Sequence, residues 1–231
     1  YVYAYGMHTT HGRALPFAQG LKLANPELNV IACGGDGDGM AIGLGHTYHA
    51  IRRNVNLTYI LMDNHVYGLT KGQTSPRSDW GFKTKTTPTG NIETPVATLE
   101  MALSAGASFV AQGFSTQLQE LTDLIVAAVK HPGFSLVNVF SPCVTFNKVN
   151  TYDWFKERLV GIDSIEDYDR YDKGKVLQHI LEHEGLLTGL LYEDRKKRSY
   201  EEVSGLADNN QMQSVLKFTK AEFDKLVEDF R

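Results

Sequence analysis

Two stretches decide the fold of this chain: Ile31-Ala-Cys-Gly-Gly-Asp-Gly-Asp-Gly-Met40 and Leu57-Thr-Tyr-Ile-Leu-Met-Asp-Asn-His-Val66. In each, an apolar run stops abruptly at glycine, acidic or amide residues, which is typical of a buried parallel strand at its carboxyl end. About two dozen residues separate Gly37 from Asp63, enough for the crossover helix that neighbouring parallel strands require. We therefore predict a strand, a turn, a helix and a second strand, with both polar loops at one edge of the sheet.

The glycine-acid turn has the composition of a ligand-binding loop. Four glycines in the six residues 34–39 let the backbone turn tightly and approach a ligand closely. The N-terminus of the following helix favours an anion at the same place. Asp36 and Asp38 would repel a bare phosphate, so we expect a cation between these carboxylates and the phosphate. Mg²⁺ prefers oxygen ligands and keeps phosphate oxygens in its shell, and Asn64 would add an oxygen from the second loop.

Three competing motifs fail, and a plain surface turn remains the simplest alternative. A G-x-G-x-x-G dinucleotide fingerprint starting at Gly35 and Gly37 would need a third glycine where Met40 stands. An EF-hand loop starting at Asp36 would need glutamate where Thr47 stands. No G-x-x-x-x-G-K-[ST] sequence is present.

These residues resemble a known family. Gly35-Asp-Gly37 followed by Asp63-Asn64 resembles the G-D-G…N-N signature of thiamine-diphosphate enzymes, with Asp in place of the first Asn. Together with the 34–39 turn, two further segments resemble the β subunit of 2-oxoacid:ferredoxin oxidoreductases: Gly6-Met-His-Thr-Thr-His-Gly-Arg-Ala14 and Tyr67-Gly-Leu-Thr-Lys-Gly-Gln-Thr-Ser-Pro76. The resemblance implies thiamine diphosphate and Mg²⁺ as cofactors.

The resemblance also implies roles for single residues. It assigns cofactor binding to two loops: Gly35, Asp36, Gly37, Asp38, Gly39, Asn64, Val66, Tyr67, Gly68, Leu69 and Thr70. Mg²⁺ would be held by Asp36, by Asn64 and by the backbone carbonyl of Val66, which has no ligand atom in its side chain. In the catalytic group, His11 and Arg13 would lie at the aminopyrimidine and substrate, Leu69 at the thiazolium, and Lys71 at diphosphate, substrate or coenzyme A. The ordinary alternatives are a structural histidine and solvated surface cations.

The rest of the chain alternates helical and strand patterns, which predicts an α/β fold with a doubly wound, mostly parallel sheet. The resemblance implies that this sheet is of the thiamine-diphosphate-binding type. We expect this domain to span residues 1–150, followed by a helical C-terminal extension over residues 151–231. Helical spacing predicts that Tyr48 and Leu118 face the core. Cys33, inside a strand, is expected to be a packing residue.

The two cysteines, Cys33 and Cys143, form no disulfide framework, and a reducing cytoplasm is the default compartment. The resemblance makes Cys143 the remote ligand of a 4Fe–4S cluster, an arrangement known for such clusters. The other cysteine ligands are expected in a segment that precedes Tyr1, since the sequence starts without Met inside a strand-like run. A small packing residue is the alternative for Cys143.

The composition of the chain excludes two classes of partner. A net charge of −4 and a pI near 6.1 indicate no nucleic-acid binding, and no apolar run is long enough for a membrane span.

His179-Ile-Leu-Glu-His183 matches an inverted zinc-protease motif, although an ordinary amphipathic helix explains it better. Arg195-Lys-Lys-Arg198 is interpreted as a solvated turn, with docking of an acidic electron carrier as the alternative.

The resemblance implies coenzyme A-dependent oxidative decarboxylation of 2-oxoglutarate to succinyl-CoA and CO₂, or the reverse carboxylation, with electrons passing through the cluster to ferredoxin. It further implies a partner α subunit that carries the pyrimidine-binding domain and the activating glutamate, in an α2β2 heterotetramer. Pyruvate or a branched-chain 2-oxoacid is the alternative substrate. A noncatalytic module that binds Mg²⁺ and diphosphate is the alternative from a different class.

Overall fold

The computed structural model describes residues 3–206 and 219–228. The strands in this part of the chain are β1 Ile31–Gly35, β2 Leu57–Asp63, β3 Phe109–Phe114, β4 Phe134–Phe140, β5 Val160–Gly161 and β6 Leu187–Glu193. They form one sheet in the order β1-β2-β4-β3-β6-β5. The first four strands run parallel, whereas β6 is antiparallel to β3 and parallel to β5. The predicted α/β fold with a mostly parallel sheet is confirmed.

The helices cover both faces of the sheet. Their bounds are α1 Ala14–Ala24, α2 Leu44–Arg53, α3 Thr98–Ser104, α4 Leu118–Lys130, α5 Tyr152–Lys156, α6 Lys173–Glu182, α7 Tyr200–Ser204 and α8 Lys220–Glu228. A π-helical turn, Asp38–Ile42, precedes α2, and a 3₁₀ turn, Ile162–Ser164, follows β5. Leu15 and Ile51 pack with Tyr59 and Leu61 on one face. On the other face α4 packs against β3 and β4.

Three residues predicted to be buried are exposed. Tyr48 is 41% exposed because the wider i→i+5 turn that precedes α2 shifts the face that this helix presents to the sheet, so that α2 buries Thr47, Ala50 and Ile51 instead. Leu118 is 72% exposed because it is the first residue of α4. Cys33 is exposed because it lies on β1, at the edge of the sheet, on the face where α4 packs over β2, β3 and β4 but does not reach β1.

The C-terminal extension is not purely helical, because it contributes β5 and β6 to the sheet. The apolar run Leu187–Glu193 pairs with β3 and supplies the backbone partners that this strand would otherwise lack. The side-chain amide of Gln112 adds hydrogen bonds to the carbonyls of Gly185 at 2.7 Å and Leu187 at 2.6 Å. The expected domain boundary near residue 150 stays a prediction.

Asn54 joins the N-terminal ends of three strands to the C-terminal segment. It ends α2 in the left-handed conformation, with φ 58°. Its Oδ1 accepts hydrogen bonds from Ser108 Oγ at 2.6 Å and from the Phe134 N–H at 3.0 Å, and its Nδ2 donates to the Arg198 carbonyl at 3.0 Å. Because the side chain is fully enclosed, no water can replace these partners.

We expect Asn54→Ala to lower the free energy of unfolding by about 2–4 kcal/mol, because buried donors lose their acceptor and alanine is strained at positive φ. Urea unfolding of the full-length chain followed by circular dichroism measures the change. Asn29→Ala, at an exposed position, is the matched control and should stay within about 0.5 kcal/mol. Equal midpoints for the two variants would contradict this account of Asn54.

Candidate active site

The carboxyl ends of β1 and β2 bring the two predicted loops together. The strands pair in parallel with Gly35 opposite Met62, so Asp36 and Asp63 leave the sheet side by side. The Asp36 side chain is only 1% exposed. Its Oδ2 accepts a hydrogen bond from Ser75 Oγ at 2.5 Å, and the backbone of Asn64 also hydrogen-bonds to the carboxylate. The structure therefore places Asp36 next to Asn64.

The two acidic side chains have opposite electrostatic surroundings. Burial, followed by the charge of Asp63, raises the pKa of Asp36 to about 6, although Ser75 and His65 oppose the rise. Burial would also raise the pKa of Asp63, but the Arg77 guanidinium and His65 outweigh burial and hold this pKa below its usual value. Among the described residues Asp36 forms no ion pair with a basic side chain. Asp36 is thus a buried carboxylate that lacks a neutralising cation.

The loop after β2 folds back over the glycine-acid turn. His65 has φ 59°, which allows a tight bend, and the Val66 N–H donates to Asn64 Oδ1 at 3.1 Å. The Tyr67 hydroxyl donates to the Gly37 carbonyl at 2.9 Å. A Cβ on Gly37 would lie 2.0 Å from the Tyr67 ring. Gly37 is therefore required by close packing between the two loops.

Asp38 faces a third segment. Its Oδ1 accepts a hydrogen bond from the Gly12 N–H at 2.5 Å and lies 2.8 Å from Nδ1 of His11. Arg13 donates to the carbonyls of Gly12 at 3.1 Å and Ile42 at 3.2 Å. Asp38 therefore holds the turn that carries His11 and Arg13 at the mouth of the site, and it does not share a ligand position with Asp36.

The outer part of the second loop is open. Leu69 is fully exposed, Thr70 and Lys71 are exposed, and Lys71 has φ 70°. Cys143, half-buried just beyond β4, lies close behind this loop, since its Sγ would be 3.3 Å from a Cβ on Gly68. A cavity of about 880 Å³ lies elsewhere, between α4 and β6, and none of the predicted site residues lines it.

Sequence reasoning missed a short turn that touches both loops, formed by residues 75–78. Ser75 binds Asp36, Arg77 Nε lies 2.9 Å from Asp63 Oδ2, and Ser78 Oγ donates to the His65 carbonyl at 2.7 Å. The sequence offers only a weak signal for these contacts, a polar segment that is unusually long for a simple connection. The partner of each side chain depends on the tertiary fold.

Two weaker sequence motifs are accounted for by local contacts. His179 lies 3.5 Å from Glu182 and packs beside the Tyr168 ring, and no cluster of three His, Cys, Asp or Glu residues within 3–206 and 219–228 is arranged to hold a metal. In the basic segment, Arg195 pairs with Glu193, and Arg198 lies near Glu202.

Comparison with known proteins identifies the family. Residues 1–139 match the thiamine pyrophosphate enzyme family, C-terminal TPP binding domain, and residues 143–208 match the family that describes the C-terminal part of the pyruvate ferredoxin oxidoreductase beta subunit. The chain belongs to the β-subunit family of 2-oxoacid:ferredoxin oxidoreductases. In the part of the chain that the structure describes, no helix is long and apolar enough to cross a membrane.

Individual members of this β-subunit family are close in sequence and structure. The chain is 48% identical over 164 residues to the 2-oxoacid:ferredoxin oxidoreductase subunit beta of Sulfolobus sp, covering 71% of this chain and 54% of that one. It is 47% identical over 150 residues to the 2-oxoglutarate synthase subunit KorB of Archaeoglobus fulgidus, covering 65% and 56%. It thus spans about half the length of the curated relatives it matches.

A solved structure shares the fold. The chain superposes with a TM-score of 0.85 and 42% identity, over 90% of its length and 71% of the other chain, on the 2-oxoglutarate:ferredoxin oxidoreductase from Magnetococcus marinus. That structure was solved with 2-oxoglutarate, coenzyme A and succinyl-CoA bound. The predicted family and its thiamine-diphosphate-binding domain are confirmed.

We expect Gly37→Ala to abolish detectable binding of thiamine diphosphate, because the added methyl group would displace the Tyr67 ring and separate the two loops. Isothermal titration of the full-length protein with the cofactor and Mg²⁺ measures binding. Gly45→Ala is the matched control, since a Cβ there meets nothing within 4 Å and alanine favours a helix. Wild-type affinity in Gly37→Ala would contradict the packing described for the site.

We also expect the metal-free protein to lose stability as the pH rises from about 4 to about 6, because Asp36 ionises later in the folded state than in the unfolded chain. Asp36→Asn removes this contribution and should be more stable than wild type at pH 7 without Mg²⁺, by about 1–3 kcal/mol. Asp123→Asn, at an exposed position, serves as the control. Urea unfolding at pH 4.5 and pH 7 tests both statements, and an unchanged or lower stability of Asp36→Asn at pH 7 would refute them.

Proposed function

We propose that this chain binds the diphosphate end of thiamine diphosphate in a coenzyme A-dependent 2-oxoglutarate:ferredoxin oxidoreductase. The enzyme would convert 2-oxoglutarate to succinyl-CoA and CO₂, or carry out the reverse carboxylation, with ferredoxin as electron carrier. One observation carries the proposal: Asp36, buried and lacking a cation, lies beside Asn64 where two parallel strands end. The ligands named for the Magnetococcus marinus enzyme support 2-oxoglutarate as substrate.

The residues present fit a magnesium ion. The Asp36 carboxylate, the Asn64 amide oxygen and the Val66 carbonyl oxygen are hard donors of the kind that Mg²⁺ binds. A divalent cation would supply the charge that the surroundings of Asp36 lack. The Asn64 Oδ1 already accepts one hydrogen bond from the Val66 N–H, and its second lone pair remains available for the metal.

Thiamine diphosphate, when bound, supplies the carbanion chemistry by which a 2-oxoacid loses CO₂ and yields electrons. The residues of this chain bind and orient the reactants. Gly35, Gly37 and Gly39 let the backbone approach the diphosphate, and the 67–70 loop closes over it. Asp38 holds the Nδ1 of His11 at 2.8 Å, which leaves Nε2 with the free lone pair that can accept a proton. Arg13 would pair with the distal carboxylate of 2-oxoglutarate.

The position of Cys143 supports an electron exit beside the cofactor. Its thiol lies close behind Gly68, in the loop that would cover the diphosphate. As one ligand of a 4Fe–4S cluster, Cys143 would place the one-electron acceptor next to the reacting centre. The remaining cysteine ligands would come from outside residues 1–231, in keeping with the greater length of the curated relatives.

The open face of the site supports a partner subunit. Leu69 is fully exposed at the expected thiazolium position, and Ile42, in the π-helical turn that carries Asp38, is also an exposed apolar residue. We infer that an α subunit, with the pyrimidine-binding domain and the activating glutamate, covers this face in an α2β2 assembly in the cytoplasm. The β-subunit names of the relatives imply such a partner. The chain alone would then be inactive.

The experiment that tests this function is an anaerobic assay of the full-length protein purified with its partner, following coenzyme A-dependent viologen reduction. 2-Oxoglutarate, pyruvate and 2-oxoisovalerate are compared in parallel, and 2-oxoglutarate should give the highest kcat/KM. Arg13→Gln should raise the KM for 2-oxoglutarate about 10- to 100-fold, as expected for losing a charged hydrogen bond, with little effect on pyruvate. Arg52→Gln, exposed on α2, is the control.

The outcomes separate the parts of the proposal. A preference for another acid would retain the reaction class and refute 2-oxoglutarate as the substrate. Absence of turnover with all three acids, despite bound thiamine diphosphate and cluster, would refute the reaction. Equal binding of thiamine diphosphate and plain pyrophosphate would favour a noncatalytic module that binds Mg²⁺ and diphosphate.

A further inference from the structure

The turn Ser75–Ser78, with the sequence Ser-Pro-Arg-Ser, contacts every segment from which the proposed magnesium ligands come. The Ser75 hydroxyl donates to Asp36 Oδ2 at 2.5 Å. The Ser78 hydroxyl donates to the His65 carbonyl at 2.7 Å, between the two ligand positions of the second loop. A hydrogen bond within the turn, from the Ser75 N–H to Ser78 Oγ at 2.9 Å, stabilises its conformation. One short segment thus fixes both loops relative to each other.

Arg77 is the charged member of this turn, and it neutralises the acid at the end of β2. Its Nε lies 2.9 Å from Asp63 Oδ2, and its Nη1 donates to the Val96 carbonyl at 2.6 Å. Asp63 is wholly buried. The side-chain amide of Asn138 donates to the same carboxylate oxygen at 3.3 Å, whereas Asp63 Oδ1 has no hydrogen bond and lies 3.4 Å from His65 Nε2.

We propose that Arg77 is a positioning residue for the metal site, which together with Ser75 and Ser78 keeps Asp36 and the Asn64–Val66 loop in the arrangement that holds Mg²⁺ and diphosphate. The inference rests on the proposed function. Asp63 stands where the G-D-G…N-N signature has a neutral Asn, so this site carries one additional negative charge. Arg77 provides the compensating positive charge, and a guanidinium remains charged at any relevant pH.

The physical reason is competition between two neighbouring acids for one cation. Without Arg77, Asp63 would be a buried anion that keeps only the Asn138 amide and the nearby His65 ring, without the guanidinium that neutralises it, an unfavourable state. Asp63 would then attract the incoming metal away from Asn64 or pull its own loop toward a new partner. With Arg77 in place, Asp36 alone is available to the cation. Ser75 hydrogen-bonds to Oδ2 of Asp36 and so fixes the orientation of the carboxylate that would bind the metal.

The test measures Mg²⁺-dependent binding of thiamine diphosphate to the full-length protein in complex with its partner, by calorimetric titration at pH 7.5. Arg77→Gln should weaken binding about 10- to 100-fold, the usual effect of removing the group that orients a metal ligand. The double variant Asp63→Asn/Arg77→Gln should recover most of the wild-type affinity, because both buried charges are then gone. Because removing both charges would also restore stability, urea unfolding of each variant is measured in parallel, and affinities are compared per folded protein. A residue needed only for folding would leave the affinity of the folded fraction unchanged in Arg77→Gln.

A milder variant covers the case in which Arg77→Gln does not fold. Ser75→Ala removes no charge from the site. It should raise about tenfold the Mg²⁺ concentration at which binding of thiamine diphosphate is half-maximal, without abolishing binding. Arg158→Gln, whose side chain is solvent-exposed, should bind as wild type does.

The inference is overturned if Arg77→Gln or Ser75→Ala binds as tightly as wild type, or if the double variant is no better than Arg77→Gln. If the wild-type protein itself shows no Mg²⁺-dependent binding of thiamine diphosphate, the proposed function fails and not merely the role of Arg77. The two failures are therefore distinguished by the wild-type titration alone.

Discussion

The repulsion between two buried carboxylates at the ends of neighbouring strands constrains the whole site. Asp36 and Asp63 emerge side by side from β1 and β2, where a low dielectric strengthens their mutual repulsion. The Arg77 guanidinium neutralises the Asp63 carboxylate. The other has hydrogen-bond donors but no counter-charge. The parallel sheet, the glycine-rich turn and the second loop together hold this unbalanced charge in place. In the proposed function, this charge attracts the magnesium ion that binds the diphosphate.

Much of this arrangement can be predicted from sequence, because parallel strands follow local rules. The apolar runs that end at Gly35 and at Asp63 define where the strands emerge, and their separation predicts a crossover helix. The position of Asn64 beside Asp36 then follows from strand pairing. Local pattern and tertiary structure agree wherever the sheet itself determines the geometry.

The parts that could not be predicted depend on long-range contacts or on a change of helical period. Nothing in the sequence around Arg77 indicates that Asp63 is its partner, since the pair forms only when the 75–78 turn folds back over β2. The contact between Asp38 and the His11 turn could not be predicted either, because the π-helical turn directs the side chain there. The role of Asp38 at the cofactor stays a prediction. The strand β6 was missed because a segment among charged helices becomes a strand only by pairing with β3.

The measurement that tests the central claim most directly is anomalous X-ray scattering from crystals of the full complex grown with thiamine diphosphate and Mn²⁺ in place of Mg²⁺. The account predicts one strong peak in contact with the Asp36 carboxylate, the Asn64 side-chain oxygen and the Val66 carbonyl oxygen, at the distances of about 2.0–2.2 Å typical of such oxygen ligands. A peak bound instead to Asp63, or a cofactor bound with no metal at Asp36, would contradict it.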